Sequence, residues 1–435
     1  MKVILATAWY FPETTGGTEV YVDSLARALK PLGIEPVVLA PTDAKEVQRY
    51  RHRDVRVVRY PVAEPRNAAE ARGDQAPSGH ALFEQILREE NAQIYHQQAW
   101  SRGLERHHLL SARALGLRTL MTVHTPALLC RRGTLLENGT QPCDGRMDAM
   151  RCARCFLQQR GLPPVLASRI AALPETLSRK ARNSAAIGRL SSVLGARAES
   201  ALQIEALAQA AGACEKVIAV CAWLLKSLSL NGIDPAKLLL CRQGLSLEQI
   251  PQPTAAPDGP LRIGYLGRFD PVKGIAELVH ALKSLPPRRE FHCEIRAPEP
   301  RDDEGKNYRA RVLALIENDA RFALNENRPR AELADFFASI HVLAVPSQWF
   351  ETGPLVVLEA HAHGVPVLGT RLGGIAELVE EGVNGWLTDF GDARGLELAL
   401  ARLCAEPPAR LLKSVQHSVR QQSAVAAEMR ALYAG

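Results

Sequence analysis

Two glutamates, Glu351 and Glu359, are separated by seven residues in Pro346–Gly364 (PSQWFETGPLVVLEAHAHG), with Gly353 and Pro354 between them. Pro354 suits the first turn of a helix running to about His363, which puts Glu351 on a loop and Glu359 inside the helix. The backbone N–H groups of Gly353, Leu355 and Val356 would then face an anion at the helix start. A carboxylate can accept from two vicinal hydroxyls, so two carboxylates beside an anion site suit a sugar or ribose diol. The same pair also fits a plainer role, one acid on the helix dipole and one on an exposed face.

A second cluster is Gly267–Gly274 (GRFDPVKG), directly after the apolar run Arg262–Leu266. Loops at the C-terminal ends of parallel strands are where open α/β sheets bind ligands. Arg268 and Lys273 lie on either side of a Pro-containing turn, so both cations could converge on one diphosphate. In Glu13–Thr18 (ETTGGT), Gly16 and Gly17 would let backbone approach a phosphate, with a helix start behind them. Gly373-Gly374 offers another phosphate-sized loop. None of these is a G-x-G-x-x-G or a Walker A loop, so nicotinamide and ATP sites lose support.

Cys130, Cys143, Cys152 and Cys155 fall within 26 residues and end in C-x2-C. Four thiols in that number match a structural tetrahedral zinc site, although the first spacing is long. An iron–sulfur cluster and plain reduced cysteines remain alternatives. The other five cysteines lie in apolar settings and read as core.

These residues need a scaffold. The chain has 435 residues, 46% hydrophobic and 23% charged, with a formal charge of +6. Such a composition excludes disordered, collagen-like and disulfide-scaffold classes, and the length suits two domains. No apolar run approaches a membrane span. The first residues, MKVILATAWYF, read as a buried strand and not as a signal peptide, so a cytoplasmic protein with reduced thiols is expected. Residues 131–200 carry twelve Lys and Arg against five acids. That patch could face anionic lipid head groups, an acidic substrate or only solvent. It lacks the aromatics or reader motif of a nucleic-acid site.

Apolar runs followed by helical periods recur along the chain. Val3–Ala8 precedes Thr18–Lys30, where Val20, Leu25, Ala28 and Leu29 would form the buried face; Pro36–Ala40, Val55–Tyr60 and Arg118–Val123 are further strands. In the second half Arg262–Leu266 precedes Ile275–Leu285, Val342–Val345 precedes Pro354–His363, and Val365–Leu368 precedes Ile375–Glu381. The pattern predicts an α/β protein of two doubly wound, Rossmann-like domains facing across a cleft. Residues 1–250 would form the first domain, with a Cys-rich insert of no clear period at 126–160 and a helical insert at 165–213. The Pro-rich 251–260 reads as a linker, 261–410 as the second domain, and 411–435 as a helix packing back on the first. Leu412, Val415, Val419, Val425, Met429 and Leu432 would line that helix, and the hinge would lie at Gly244–Pro260.

The paired glycines, GR…KG, the PS-x-W-F-E-x-G-P-L-V-V-L-E-A run, G-V-P-V and LGGIAELVEEGVNGWL together resemble the family 4 retaining glycosyltransferases of the GT-B fold, within them a subset with a similar cysteine-rich stretch. The resemblance covers both halves in order. It implies a nucleotide-diphosphate sugar donor held mainly by the second domain and an acceptor held by the first. By it Arg268 and Lys273 meet the leaving diphosphate, and Gly16 and Gly17 bring the first loop to it. Glu359 would hold the ribose, and Glu351 with Thr352, Gly353, Pro354 and Leu355 the donor sugar. His124, after the strand Arg118–Val123, would lie near that sugar and orient it or the acceptor.

Cations at the leaving phosphate imply no catalytic metal, and any zinc would be structural. The expected activity is hexosyl transfer with retention to a glycan or lipid-linked acceptor, in cell-surface polysaccharide synthesis. Partners would be the nucleotide sugar, the acceptor and, through the basic patch, a membrane surface, with no nucleic acid. A silent nucleotide-sugar-binding subunit or a sugar-nucleotide epimerase is the alternative. Ala297-Pro298-Glu299-Pro300 stands where the family commonly shows glycines, a departure on the nucleotide side.

Overall fold

A computed structural model describes every residue except 14, 15, 66, 102, 185–187, 189, 247–258, 327–332, 408–410 and 412–418. The chain divides into two compact units, Met1–Ser246 with Gln421–Gly435, and Leu247–Arg420. Each is built on one predominantly or wholly parallel sheet covered by helices.

Unit 1 holds β1 (Lys2–Ala6), β2 (Glu35–Thr42), β3 (Gln48–His52), β4 (Val55–Pro61), β5 (Ile94–Gln97) and β6 (Arg118–Val123), the small hairpin β7 (Leu136–Glu137) and β8 (Gln141–Pro142), then β9 (Lys216–Ala219) and β10 (Leu238–Leu240). Its sheet runs β10-β9-β6-β5-β1-β2-β4-β3, parallel throughout except β3 against β4. Alternate residues of one strand serve opposite faces: Ile4 and Ala6 join one core, Val3 and Leu5 the other. This is the period-two pleat of a strand buried on both sides, and it explains the unbroken apolar runs. On the second face the helix Gln422–Ala434 lays Val425, Ala426, Met429 and Tyr433 against the helix Gly17–Leu29.

Unit 2 holds β11 (Leu261–Leu266), β12 (Phe291–Ala297), β13 (Phe322–Glu326), β14 (Val342–Val345), β15 (Val367–Thr370) and β16 (Gly385–Thr388). They form a wholly parallel sheet in the order β13-β12-β11-β14-β15-β16. In each unit the order reverses beside the unit's first strand, β1 or β11. Crevices outside the strand ends at such a switch point are the ligand sites of open α/β sheets.

Several expectations need correction. The Gly17–Leu29 helix buries Tyr21, Val22, Leu25, Ala26 and Leu29, whereas Val20 and Ala28 are only partly covered. Asp23 is buried on that helix too, bonded by Tyr10 and Arg27, so polarity alone misplaced the face. Residues 126–160 do contain a regular element, the helix Ala149–Gln159, started by the Asp148 side chain accepting from the Arg151 N–H. The insert at 165–213 is four helices, Pro164–Ala171, Glu175–Asn183, Leu190–Leu194 and Ala196–Ala213, the last leading directly into β9. The closing helix starts at Gln422, so Val419 precedes it. Leu412 and Val415, most of the Pro-rich linker and the distal part of the expected hinge lie outside the described residues.

Candidate functional site

In unit 2 the two expected motifs sit on adjacent loops after β11 and β14, the strands at the switch point. Asp270 caps a short 3-10 turn, Pro271–Lys273, by accepting from the Val272 N–H at 3.1 Å. Gly274 then takes a left-handed conformation, φ 74°, with its α-carbon against the Pro346 carbonyl, where any Cβ would collide with backbone. Only glycine serves there. The Gln348 N–H donates to the Val272 carbonyl at 2.7 Å and ties the loops together.

Across that tie Lys273 Nζ meets Glu351 Oε1 at 2.7 Å, and the Ser347 hydroxyl donates to the same oxygen at 2.9 Å. The ammonium also lies 5.2 Å from the centre of the Trp349 ring. Glu351 is 6% exposed, so its charge is compensated where water is scarce. Gly373 and Gly374 pack on the backbone of Glu351–Gly353, with the Gly374 N–H donating to the Glu351 carbonyl at 2.5 Å. They act as a brace for the acidic loop.

Pro354 precedes the helix Leu355–Ala362, whose N-terminus has no side-chain cap. Glu359 is buried one turn into it, and Thr352 is buried before it. Arg268 differs from Lys273: its side chain is 68% exposed and reaches the Asp270 carboxylate at 3.5 Å. The two cations expected to act as a pair are therefore held differently, one clamped and one extended into solvent.

Unit 1 offers an open pocket at its own switch point, walled by Ala8 and Trp9 after β1, Gln98 and Trp100 after β5, and His124 after β6. His124 is 8% exposed, and its Nε2 donates to Gln98 Oε1 at 3.0 Å while Gln243 Nε2 donates to its Nδ1 at 3.4 Å. Burial pushes its pKa down to about 3, so the ring is neutral with both nitrogens engaged by amides. That suits a fixed orienting group better than a base. The amides themselves are incomplete: Gln98 Nε2 and Gln243 Oε1 are buried without a hydrogen-bond partner. Gly16 is extended (φ −74°) and Gly17 opens the helix, so neither uses left-handed freedom. The Glu19 carboxylate, on the wall of this pocket, occupies the place a Gly16 Cβ would need.

Sequence reasoning missed Ser347, Gln348 and Trp349, although they lie inside the quoted motif, because nothing in their types marks them out beside two acids. It also missed Trp9, Glu19, Gln98 and Gln243. Gln98 follows a strand, IYHQ, whose buried polar residues hide its strand character.

Cys130, Cys143, Cys152 and Cys155 line one further pocket of unit 1. Among the described residues no three His, Cys, Asp or Glu side chains stand already assembled around a metal position. Much of the basic charge nearby is internally compensated: Arg151 pairs with Asp144, Arg154 with Glu137, Arg179 with Glu175 and Glu205, and buried Arg182 with Asp74 and Glu199. Arg146, Arg160, Arg169 and Lys180 remain exposed. No helix of the described residues is long and apolar enough to cross a membrane.

The family model described as Glycosyl transferases group 1 matches residues 247–420, and that described as Glycosyltransferase Family 4 matches residues 15–151. A D-inositol 3-phosphate glycosyltransferase of Corynebacterium efficiens is 31% identical over 179 residues, 39% of this chain and 42% of that protein. The chain spans about half or less of the length of curated relatives it matches. Among solved structures, a sucrose-phosphate synthase of Thermosynechococcus elongatus aligns with TM-score 0.66 at 19% identity, covering 100% of this chain and 98% of that one. The Anabaena HepE protein in complex with UDP and glucose aligns with TM-score 0.64 at 15% identity, covering 100% and 99%. Likeness at these identities speaks for fold alone. The fold is that of the GT-B glycosyltransferases, with a glycosyltransferase family model matching the second unit and another matching residues 15–151 of the first.

Proposed function

We propose that the protein is a retaining glycosyltransferase that moves a hexose from a nucleotide-diphosphate donor to a glycan or lipid-linked acceptor in cell-surface polysaccharide synthesis. The observation that carries this reading is the pair of tied loops at the unit 2 switch point, which holds the Lys273–Glu351 ion pair beside an uncapped helix N-terminus. Cations and amide dipoles serve a diphosphate, and carboxylates serve sugar hydroxyls.

In this mechanism the diphosphate draws Arg268 out of solvent and shares Lys273 with Glu351. Both cations stabilise charge as the anomeric carbon–oxygen bond breaks, an electrostatic contribution that otherwise falls to a divalent metal. Glu351 accepts from the donor sugar's hydroxyls and Glu359 from the ribose diol, with Thr352, Gly353, Pro354 and Leu355 shaping the contact. The acceptor oxygen bonds to the anomeric carbon on the face the phosphate leaves, and its proton passes to the departing phosphate oxygen. No side chain is assigned as nucleophile. In unit 1 the orphaned amide of Gln98 fits an acceptor hydroxyl, with neutral His124 holding Gln98 and the Trp9 and Trp100 rings offering apolar faces to a pyranose.

A cytoplasmic enzyme working on a membrane-borne carrier would use the helical insert. Val165, Leu166, Leu177 and Leu190 are exposed there, on helices that also present Arg169 and Lys180. Apolar and cationic side chains together suit an anionic bilayer surface. Sedimentation with phosphatidylglycerol vesicles at low salt should carry the protein down, and Leu166→Asp with Leu177→Asp should leave it in the supernatant.

Donor binding is tested by thermal shift against UDP-, GDP-, ADP- and dTDP-sugars, with Glu359→Ala as the comparison. A ligand bound only to the folded state stabilises it by RT ln(1 + [L]/Kd) and so raises Tm. A rise with one nucleotide class, lost in the variant, is expected; no rise with any class overturns the proposal.

A further inference from the structure

The hairpin β7–β8 has two residues in each strand, far short of what holds a ribbon together in water. Around it the chain turns repeatedly, with Gly133, Gly139 and Gly145 all at positive φ and Leu135 and Asn138 also left-handed. The apolar cluster on the adjoining helices is small, its fully buried members being Ala153, Leu157, Ala167, Ala171 and Ala196, with Phe156, Leu162, Ile170 and Val193 partly buried against them. Irregular segments with so little core are ordinarily stapled by disulfides or a metal. All nine cysteines are free thiols, and these four are only partly buried, whereas Cys214, Cys221, Cys241 and Cys293 are buried in the sheet cores.

The four thiols come from separate pieces of this segment and line one pocket. Cys130 heads a tight turn, its carbonyl accepting from the Gly133 N–H at 2.9 Å. Cys143 follows β8, with its N–H bonded to the Leu135 carbonyl at 2.9 Å. Cys152 and Cys155 stand one turn apart on the helix Ala149–Gln159, so they share a face. Donors already point at sulfur: the Asn138 N–H reaches Cys155 Sγ at 3.2 Å, and Arg151 Nη2 reaches Cys143 Sγ at 3.8 Å. Arg131, Arg132 and Arg146 also line the pocket, and buried Arg132 Nε has no partner. Four thiolates around a divalent ion carry a net charge of about −2, which such guanidinium groups offset.

We propose that Cys130, Cys143, Cys152 and Cys155 bind one Zn²⁺ as a structural four-thiolate site. Binding draws the sulfurs in to about 2.3 Å from the ion and releases their protons to solvent, with no change of oxidation state. The site would fix the short segment from Leu128, on the wall of the His124 pocket, to Cys130, on the wall of this one. It takes no part in glycosyl transfer and does not depend on that reading.

The test is elemental analysis of the purified full chain, before and after incubation with ZnCl₂ and gel filtration. About one zinc per chain is expected, as for a single structural site. Cys152→Ser should lose the metal, Cys143→His should keep it because imidazole is also a zinc ligand, and Cys404→Ser should be unaffected. Co²⁺ in place of zinc should give the absorption of tetrahedral cobalt thiolate. Zinc well below one per chain after incubation, with all four thiols freely reactive in the folded protein, overturns the proposal. Iron with acid-labile sulfide, or intact disulfides among these cysteines, overturns it equally. The unaltered protein decides the question by itself, even where a variant fails to fold.

Discussion

The two switch-point sites are built in opposite ways. In unit 2 the site is finished by the protein: backbone ties the loops, glycines brace the acid, and Glu351 already has Lys273 and Ser347. In unit 1 the site is held by side-chain amides that are themselves incomplete, with Gln98 and Gln243 each keeping an unpartnered polar atom in or behind a largely apolar wall. A buried unpaired polar group costs about 1–3 kcal/mol, so the unit 1 site stands to gain most from a ligand that completes it. One half already pairs its charge, and the other keeps polar atoms unpaired.

The largest expected effect breaks the paired half. On the proposed mechanism Lys273→Ala removes a cation from the leaving phosphate and the ion-pair partner of Glu351, and kcat should fall by roughly 10²–10³-fold, as when one transition-state donor is lost. Steady-state assays with the donor identified by thermal shift measure this. An unchanged kcat would assign Lys273 to loop stability alone.

Gln98→Leu sharpens the other half. It keeps the side chain's bulk and removes the orphaned amide, so kcat/KM for the acceptor should drop by roughly 10-fold, equivalent to about 1.4 kcal/mol, with the donor KM unaltered. A rise in donor KM instead would move Gln98 to the other substrate.

A third test concerns the support beneath unit 1. His96 is fully buried, its ring between the hydroxyls of Tyr433 at 2.6 Å and Thr122 at 2.7 Å, and burial pushes its pKa down to about 3. His124 is lowered to a similar value. Between about pH 6.5 and 3 the unfolded chain binds protons at these rings and the folded chain does not, so stability is full above about pH 6.5 and falls on acidification. The slope should reach about 1.4 kcal/mol per pH unit for each ring. Urea unfolding at stepped pH measures it, and His96→Gln should flatten it by one ring's share. The smallest effect is Tyr433→Phe, which removes one hydroxyl from that chain and should cost about 1 kcal/mol.

Sequence revealed the frame and the charged site because both rest on contiguous signals. Apolar runs marked β1, β6, β11, β14 and β15, and the Glu351–Glu359 and Arg268–Lys273 spacings each lie within one short stretch. What it hid depends on distant partners. β5 carries buried His96 and Gln97, whose polarity is offset by Tyr433, Thr122 and Tyr95, so no apolar alternation announces it. The helix Ala149–Gln159 looked aperiodic because Arg151, Cys152 and Cys155 face a pocket while its buried core residues are just Ala153 and Leu157, with Phe156 partly buried beside them. The Lys273–Glu351 pair joins residues 78 positions apart, and nothing local in either motif required it.

The returning helix has a consequence for how the chain is made. Gln422 bonds its N–H to the Leu245 carbonyl at 2.8 Å, and Gly244 lies against the Gln421 backbone, so the chain leaves unit 1 and re-enters it at one place. Everything between is, topologically, a loop inserted into unit 1. The cluster that holds Tyr21, Val22, Leu25 and Ala26 against the sheet is closed only when Val425, Ala426, Met429 and Tyr433 join it. The second unit draws its core from one continuous stretch of chain, whereas the first needs a segment from either side of that stretch. A chain cut off near residue 420 would keep every residue of the second unit and lack the helix that seals the first, so a late truncation opens the half that was made first.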